Sequence, residues 1–391
     1  MSPGKALNTS KPRLGIVGGG QLARMTALSA APLDCEVVAL ERSADCPAAN
    51  VTAECVTGDW NSLGPLRELA ARVDVVTLEN EFVDAGLLAQ LEQDGKLVLP
   101  SSKTLALVQD KFIQKQTLAN AGLPVPAMRA VATRAELEAA TRDLGLPLVL
   151  KTRRNGYDGK GNYTVRHARD IAEAWKLLGG DKGNLLFVEA FCPFERELAI
   201  IITRGRDGSS VAYPVVETVQ RNHICHIVRA PAPAPTAITE RAASLAQRAV
   251  AAVEAVGSFG VEMFLAGNGD IFINELAPRV HNSGHYTIEA CECSQFENHV
   301  RAVLGWPLGS TRMLTPAAVM VNLLGHAAGA GNPEGLQRAL AIAGAHVHAY
   351  GKAQSVAGRK MGHVTVLGNS VAEAEAAALQ CAGEIRFGNP S

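Results

Sequence analysis

Residues 271–286, which read I-F-I-N-E-L-A-P-R-V-H-N-S-G-H-Y, hold the densest group of chemically active side chains in the sequence. The run opens as an apolar strand. Hydrogen-bonding and ionisable side chains then follow within about a dozen positions, namely Asn274, Glu275, Arg279, His281, Asn282, Ser283 and His285. So many polar groups directly behind a buried strand indicate that they converge on a ligand.

A second acidic residue lies in the strand that precedes this run. Asn268-Gly269, between two apolar stretches, predicts a β-hairpin with a two-residue turn. Counting outward from this turn places residue 267 opposite 270, 264 opposite 273, and Glu262 opposite Glu275 on the two strands. Two carboxylates with Cβ atoms about 5 Å apart repel each other unless a cation lies between them. Because Mg²⁺ is bound by one or two carboxylates together with substrate phosphates, we predict a magnesium–phosphate site here. The alternative is a β-bulge that shifts the register and turns one glutamate to solvent.

Composition narrows the function classes. A chain of 391 residues with 47% apolar residues and 37 glycines is typical of an α/β protein of two or three domains. The net charge of −1 argues against nucleic-acid partners and an anionic membrane surface. The start of the chain lacks the apolar core of a signal peptide, and no apolar run is long enough to cross a membrane.

Eight scattered cysteines favour reduced thiols and a cytoplasmic protein. Cys291 and Cys293, on a predicted helix, would point too far apart for a zinc site.

Alternating strands and helices predict a parallel sheet in the first hundred residues. We expect strands at 14–17, 36–40, 73–78 and 97–99 and helices at 21–30 and 84–93. Downstream, we expect strands at 163–166, 185–189, 197–203 and 317–323 and helices at 240–256 and 295–304. The segment A-P-A-P-A-P-T before the alanine-rich helix predicts an extended connector.

Two glycine-rich segments are typical of phosphate-binding turns. Gly18, Gly20 and Ala23 match G-x-G-x-x-A between a strand and a helix, and Glu41 ends the next strand. This pattern is either a dinucleotide-binding fingerprint or a tight strand–helix turn that holds another anion or none. The loop N-G-Y-D-G-K-G-N follows Lys151 at a strand end and resembles a flap over phosphates, although it could be a plain hairpin tip. Taken alone, Glu189, Glu197, Arg359 and Lys360 suit solvated surface charges.

Together, these motifs resemble those of the ATP-grasp ligases, and of the N5-carboxyaminoimidazole ribonucleotide synthetase family in particular. The resemblance covers residues 14–368. It rests on G-I-V-G-G-G-Q-L-A-R-M, T-L-E-N-E, Q-D-K-F-I-Q-K, N-G-Y-D-G-K-G-N, G-V-E-M-F, I-N-E-L-A-P-R-V-H-N-S-G-H-Y and G-R-K-M-G-H. Other phrases resemble the synthetase half of bifunctional fungal and plant enzymes.

The resemblance implies a fold and a reaction. The fold would be a doubly wound pre-ATP-grasp domain (1–110), an ATP-grasp domain (111–310) with a flap subdomain at about 150–215, and a small C-terminal domain (311–391). The reaction would carboxylate 5-aminoimidazole ribonucleotide with ATP and bicarbonate through carboxyphosphate. Mg²⁺, or Mn²⁺ in its place, would be the metal, and the enzyme would be a homodimer.

The resemblance also assigns roles to residues. Glu262 and Glu275 would hold the metal, and Arg279, His281, Asn282, Ser283 and Lys160 would serve the chemistry. ATP would contact Lys111, Lys151, Gly156, Tyr157, Asp158, Gly159, Lys160, Gly161, Asn162, Glu189, Ala190, Phe191, Cys192, Glu197, Gln220, Asn274 and Glu275. The ribonucleotide would contact Gly20, Gln21, Leu22, Glu79, Tyr157, Asp158, Arg279, His281, Arg359 and Lys360. Gln220 stands where the family commonly has His and cannot become cationic.

Overall fold

The computed structural model describes residues 11–156 and 160–388. The first unit alternates strands and helices as the sequence predicts: β1 (Arg13–Val17), α1 (Gln21–Ala30), β2 (Glu36–Glu41), β3 (Glu54–Thr57), α2 (Leu63–Ala71), β4 (Val75–Leu78), α3 (Ala85–Gln93) and α4 (Ser102–Gln109). The strands form a parallel sheet in the order β3-β2-β1-β4. The strand order reverses between β1 and β4, and ligands bind at the carboxyl ends of strands at such a point. The predicted strand 97–99 is reduced to a single parallel bridge to β4, Val76 to Val98, because Pro100 cannot extend the ladder.

Helix α5 (Lys111–Asn120) leads into a small antiparallel sheet. Its elements are β5 (Met128–Val131), α6 (Arg134–Leu144), β6 (Leu148–Thr152), β7 (Asn162–Val165), α7 (Ile171–Leu177) and β8 (Leu186–Ala190). The strand order is β5-β8-β6-β7. The glycine loop connects β6 to β7, and its described ends lie at the end of the sheet where Lys151 is.

Most of the remaining strands form one large sheet. The elements are β9 (Phe194–Arg204), β10 (Ser210–Ala212), β11 (Val216–Arg221), β12 (Ile224–Ala230), α8 (Thr236–Ala252), β13 (Gly257–Ala266), β14 (Ile271–Ala277), α9 (Thr287–Ala290), α10 (Gln295–Leu304), β15 (Ala317–Leu324), β16 (Gly329–Ala330), α11 (Leu336–Leu340), β17 (Ala345–Ala349), β18 (Gln354–Ser355), β19 (Lys360–Gly368) and α12 (Val371–Glu384). The order is β14-β13-β9-β11-β12-β15-β19-β17, with β10 beside β9, and β16 pairs only with β18. The C-terminal strands therefore continue the central sheet through the β12–β15 pair.

Two helix predictions need correction. The alanine-rich helix begins at Thr236 instead of 240, directly after Pro235, and ends at Ala252. The helix predicted through Cys291 and Cys293 is interrupted there, because the Ser294 side chain accepts a hydrogen bond from the Glu297 N–H and starts α10. In the described part of the chain, every helix is too short or too polar to span a bilayer.

Candidate active site

The β13–β14 hairpin places Glu262 directly opposite Glu275, as the sequence predicts. The turn length and the register that produce this pairing differ from the prediction. The turn holds three residues, 267–269, instead of two, since the Ala266 N–H donates to the Asp270 carbonyl. Gly269 adopts the left-handed conformation that such a turn requires (φ 85°). The predicted pairs 267 with 270 and 264 with 273 are therefore wrong by one residue.

A β-bulge restores the predicted pairing at the carboxylates. The register shifts between Glu262 and Met263, which leaves Asn274 as an extra residue on β14. From the sequence, a bulge was expected only as the alternative that would turn one glutamate to solvent. The bulge is present, yet it offsets the extra turn residue, and the two glutamates stay opposite each other.

The two carboxyl groups differ in their neighbours. Burial and the nearby charge of Glu275 raise the pKa of Glu262 to about 8. Burial would also raise the pKa of Glu275, but the Lys111 ammonium, with Nζ 2.5 Å from Glu275 Oε2, outweighs it and lowers that pKa to about 2. His281 Nε2 lies 3.6 Å from Glu262 Oε1. Without a cation beside it, Glu262 therefore prefers to carry a proton near neutral pH.

This arrangement fits a magnesium ion. Asn274 Oδ1 is buried and has no hydrogen-bond partner within residues 11–156 and 160–388. An amide oxygen and two carboxylates are hard ligands of the kind Mg²⁺ prefers, and substrate phosphates complete such sites. In the same ranges, no group of three or more His, Cys, Asp or Glu side chains is placed to hold a metal ion.

Helix α5 carries three site-facing residues, Lys111, Gln114 and Lys115, which share one face at helical spacing. Lys115 Nζ lies 2.5 Å from Glu189 Oε1, and Lys151 Nζ lies 2.7 Å from Glu189 Oε2. Burial lowers the pKa of Lys115 to about 8 despite the Glu189 charge. The interpretation of Glu189 as a solvated surface charge is therefore wrong, because its side chain is buried between two lysines.

Beyond Glu189, the chain forms an exposed connection from β8 to β9. Ala190 and Cys192 are partly buried and Phe191 is exposed. The Phe194 ring stacks on Phe264 with centroids 4.6 Å apart. Further along β9, Glu197 Oε2 accepts a hydrogen bond from Gln220 Nε2 at 3.0 Å, and burial raises the pKa of Glu197. The predicted adenine residues thus lie at the end of β8 and in its connection to β9, and the predicted ribose residue Glu197 lies on β9, the strand that pairs with β13.

The flap is described only at its base. Gly156, Lys160, Gly161 and Asn162 are in the structure, whereas the predicted contacts Tyr157, Asp158 and Gly159 lie outside the described residues. The Thr152 N–H donates to the Gly161 carbonyl at 2.8 Å. Gly161 is left-handed (φ 83°), and a Cβ there would collide with the Thr152 hydroxyl. A glycine at this position is therefore required by the turn.

The polar run after β14 crosses to the first unit. Arg279 Nε lies 2.5 Å from Glu81 Oε2, and its Nη1 donates to the Val280 carbonyl. His281 Nδ1 lies 2.9 Å from Ser283 Oγ. Burial, Arg279 and Lys360 lower the pKa of His281 to about 3, so the ring is neutral at physiological pH. Asn282 exchanges amide hydrogen bonds with Asn322 on β15.

The glycine turn at β1 is held by carboxylates. Glu79, which follows β4, accepts a hydrogen bond from the Leu22 N–H at 3.3 Å, and a Cβ on Gly20 would collide with its carboxyl group. Glu41 accepts from the Gly19 N–H at 2.9 Å. A dinucleotide pyrophosphate would meet these like charges at the helix start, so the geometry disfavours the NAD interpretation. Gln21 is partly exposed at the mouth of the turn.

Comparisons with known proteins show which family the chain belongs to. Family models match in succession: the ribonucleotide synthetase preATP-grasp domain over residues 12–109, the ATP-grasp domain over 116–296, and the phosphoribosylaminoimidazole carboxylase C-terminal domain over 318–377. The N5-carboxyaminoimidazole ribonucleotide synthase of Synechococcus elongatus is 40% identical over 90% of this chain and 89% of that protein. The chain belongs to the N5-carboxyaminoimidazole ribonucleotide synthase family.

Two further comparisons extend this result. The chloroplastic phosphoribosylaminoimidazole carboxylase of Vigna aconitifolia is 40% identical over 93% of this chain, and the match spans 65% of that longer protein. The synthase of Aspergillus clavatus, in complex with ADP and 5-aminoimidazole ribonucleotide, is similar with a TM-score of 0.87 at 38% identity, over 95% of this chain and 98% of that one. The ATP-grasp fold predicted from the sequence is confirmed.

The C-terminal part of this family member adds cations to the site. Arg359 donates to the Gln354 carbonyl, and Lys352 Nζ donates to the Lys360 carbonyl at 2.7 Å. Burial and the charge of Arg359 lower the pKa of Lys352 to about 8, and Glu79 acts in the opposite direction. The turn 352–360 therefore faces the glycine turn of the first unit.

The sequence did not point to three residues of the candidate site: Glu81, Lys115 and Lys352. Glu81 and Lys115 lie inside the motifs T-L-E-N-E and Q-D-K-F-I-Q-K, and Lys352 ends the segment A-Y-G-K. For Lys115, the spacing of four from Lys111 on a predicted helix was a usable signal. Glu81 and Lys352 gave no such signal, because their partners are distant in sequence.

Proposed function

We propose that this chain carboxylates 5-aminoimidazole ribonucleotide to N5-carboxyaminoimidazole ribonucleotide, a step of purine biosynthesis. A bicarbonate oxygen attacks the γ-phosphorus of ATP, the bond to the bridging oxygen breaks, and ADP leaves. The exocyclic amine of the ribonucleotide then attacks the carboxyl carbon of carboxyphosphate. The bond between the carboxyl carbon and the oxygen that it shares with phosphorus then breaks, phosphate leaves, and the amine gives up one proton.

The observation that carries this proposal is the opposed pair Glu262 and Glu275 beside Lys111. Phosphoryl transfer depends on positioning and charge neutralisation more than on a nucleophilic side chain. Mg²⁺ held by the two carboxylates and Asn274 would neutralise charge on the phosphate oxygens, and Mn²⁺ could replace it. Lys111 and Lys151 would hold the same phosphates from the helix and flap sides.

The nucleotide would lie along β9 and under the flap. Glu189 and its two lysines fix the floor, Glu197 and Gln220 face the ribose, and the connection from β8 to β9 borders adenine. The remaining contacts are those predicted from the sequence: Gly156, Tyr157, Asp158, Gly159, Lys160, Gly161, Asn162, Ala190, Phe191 and Cys192.

Bicarbonate and the ribonucleotide would meet at the run after β14. Arg279 uses some of its five N–H donors for hydrogen bonds to Glu81 and Val280, and the others can bind an anion. Neutral His281 can hydrogen-bond carboxyphosphate without adding charge, with Asn282 and Ser283 fixing its loop and Lys160 closing from the flap. Gly20, Gln21, Leu22, Glu79, Tyr157 and Asp158 would contact the sugar and base, and Arg359 and Lys360 the 5′-phosphate.

The organisation of the protein is part of the proposal. We place the domains at 1–110, 111–310 and 311–391, with the flap subdomain at about 150–215. The active species would be a cytoplasmic homodimer whose partners are small molecules only, with neither nucleic acid nor membrane.

The test is a coupled ADP-release assay on the purified chain. ADP should form rapidly only with both bicarbonate and the ribonucleotide present, at one ADP per ribonucleotide consumed. A protein that binds ADP but releases none in any mixture would instead be a non-catalytic nucleotide-binding subunit. Titration with NADH should leave the cofactor fluorescence unchanged, whereas saturable binding would favour the oxidoreductase alternative.

A further inference from the structure

Two buried glutamines make the same two-point contact with the backbone of residues 275–281. We call this stretch the catalytic segment, because it carries Glu275, Arg279 and His281. Gln114 is 1% exposed and Gln295 is 0% exposed. Neither was assigned a role by the sequence or by the proposed reaction.

Gln114 contacts the start of the catalytic segment. Its Oε1 accepts from the Leu276 N–H at 2.9 Å, and its Nε2 donates to the Leu276 carbonyl at 3.1 Å. The strand β14 lies at the edge of the large sheet, so these outward backbone groups have no neighbouring strand. Gln114 stands three residues after Lys111 on α5, which itself pairs with Glu275.

Gln295 contacts the end of the catalytic segment. Its Oε1 accepts from the His281 N–H at 2.9 Å, and its Nε2 donates to the His281 carbonyl at 2.7 Å. Gln295 is the first residue of α10, and its own N–H donates to Thr287 Oγ1. A Cβ at Gly284 would collide with the Gln295 amide, so the approach depends on that glycine.

A glutamine amide offers one donor side and one acceptor side in a plane, as a peptide group does. Each glutamine therefore replaces one residue of a missing neighbouring strand. The two contacts are five residues apart, at Leu276 and His281. They flank Pro278 and Val280, which have no strand partner in the described sheet, and Glu275 directly precedes the first contact.

We propose that Gln114 and Gln295 are positioning residues that hold Glu275 and His281 in register with the two substrates. Gln114 fixes the position of Glu275, whose carboxylate serves phosphoryl transfer. Gln295 fixes the loop that carries His281, which keeps carboxyphosphate beside the amine. This inference rests on the proposed function. Because a displacement of about 1 Å costs up to 10²-fold in rate, the loss of either contact should appear in catalysis beyond its effect on folding.

The test measures ADP released per ribonucleotide consumed, together with melting temperature, in the full chain. Gln295→Met should raise the ratio at least threefold, because carboxyphosphate is lost to water. Gln114→Met should lower turnover per folded molecule at least tenfold while the ratio stays near that of the wild type. Asn298→Leu is the matched control: Asn298 is equally buried on α10 and makes the same two-point contact with Gly309, away from the proposed substrates. It should lower the melting temperature without changing the ratio.

Gln295→Glu provides a second variant if the methionine protein folds poorly, since it keeps the acceptor for the His281 N–H and loses the donor. Its ratio should lie above that of the wild type. The inference is overturned if both Gln295 variants keep the wild-type ratio, or if Gln114→Met keeps wild-type turnover per folded molecule. Failure of the proposed function would be visible separately, as a wild-type chain with no bicarbonate-dependent ADP release.

Discussion

Glu262 and Glu275 are chemically identical side chains with opposite pKa shifts. Glu275 is kept ionised by Lys111, whereas burial and Glu275 itself favour the protonated form of Glu262. One carboxylate is thus ready to bind a cation at any physiological pH. The other binds a cation only as it gives up its proton, which links metal binding to pH.

Glu275→Gln should abolish turnover and leave the fold intact. The amide keeps the shape but removes the charge that balances Lys111 and binds the metal, so we expect a loss of at least 10²-fold in ADP release. The melting temperature should change by only a few degrees, because Glu262 can then give up its proton and balance the charge of Lys111. Glu240→Gln, at an exposed position on α8, is the control, and unchanged turnover in Glu275→Gln would contradict the metal role.

Lys352 should give the reaction a pH limit on the alkaline side. Its pKa of about 8 means that the ammonium is charged below that pH and neutral above it. If it attracts the substrate phosphate together with Arg359 and Lys360, kcat/KM for the ribonucleotide should be level below pH 8 and fall by up to tenfold per pH unit above it. Lys352→Arg should extend the level region to higher pH. The same alkaline fall in both proteins would show that another group is responsible.

At the scale of elements, the hairpin shows what the sequence could predict and what it could not. Asn268-Gly269 located the turn, and the apolar alternation located both strands. The length of the turn and the bulge at Asn274 depend on how β13 and β14 pack against the rest of the sheet, which local rules do not contain. Two errors of one residue cancelled at Glu262 and Glu275. The glycine turn was likewise found, but Glu79 reaches it only because β1 and β4 are neighbours in the parallel sheet.

Deletion of Asn274 should separate fold from function. Without the bulge, Glu262 would still pair with Glu275, and Met263 with Ile273, in an uninterrupted ladder. The protein should therefore fold with a melting temperature equal to that of the wild type or a few degrees above it, whereas ADP release should fall by at least 10²-fold with the lost amide ligand. Circular dichroism and the coupled assay check both parts. A deletion variant that keeps full turnover would remove Asn274 from the site.

At the scale of the whole molecule, the site is assembled from three parts of the chain. The first unit supplies Glu79 and Glu81, the ATP-grasp core supplies the carboxylate pair, and the C-terminal turn supplies Lys352 and Arg359. The Arg279–Glu81 ion pair joins the first two parts, and the continuous sheet joins the last two. The sequence predicted each part from its own motif. The family resemblance predicted that the three parts meet at the ribonucleotide. The motifs could not predict direct contacts such as Arg279 to Glu81, because these residues are far apart in the chain.

Ligands should therefore stabilise the whole molecule through different parts. A ligand at 100 times its dissociation constant adds about 2.7 kcal/mol, or a few degrees in melting temperature. We expect such a shift from Mg²⁺ with ADP and another from the ribonucleotide. In Glu275→Gln, the first shift should be lost and the second retained. Loss of both would mean that the variant damages the fold and not the nucleotide site alone.

The most direct measurement follows oxygen from bicarbonate. If ATP phosphorylates bicarbonate, one bicarbonate oxygen stays on phosphorus when the carbon–oxygen bond of carboxyphosphate breaks. With ¹⁸O-labelled bicarbonate, unlabelled water and the ribonucleotide, phosphorus NMR should show a phosphate product that carries a single ¹⁸O atom. Phosphate without label, released at the same rate as ADP, would mean that water is the phosphoryl acceptor and would contradict the proposed reaction.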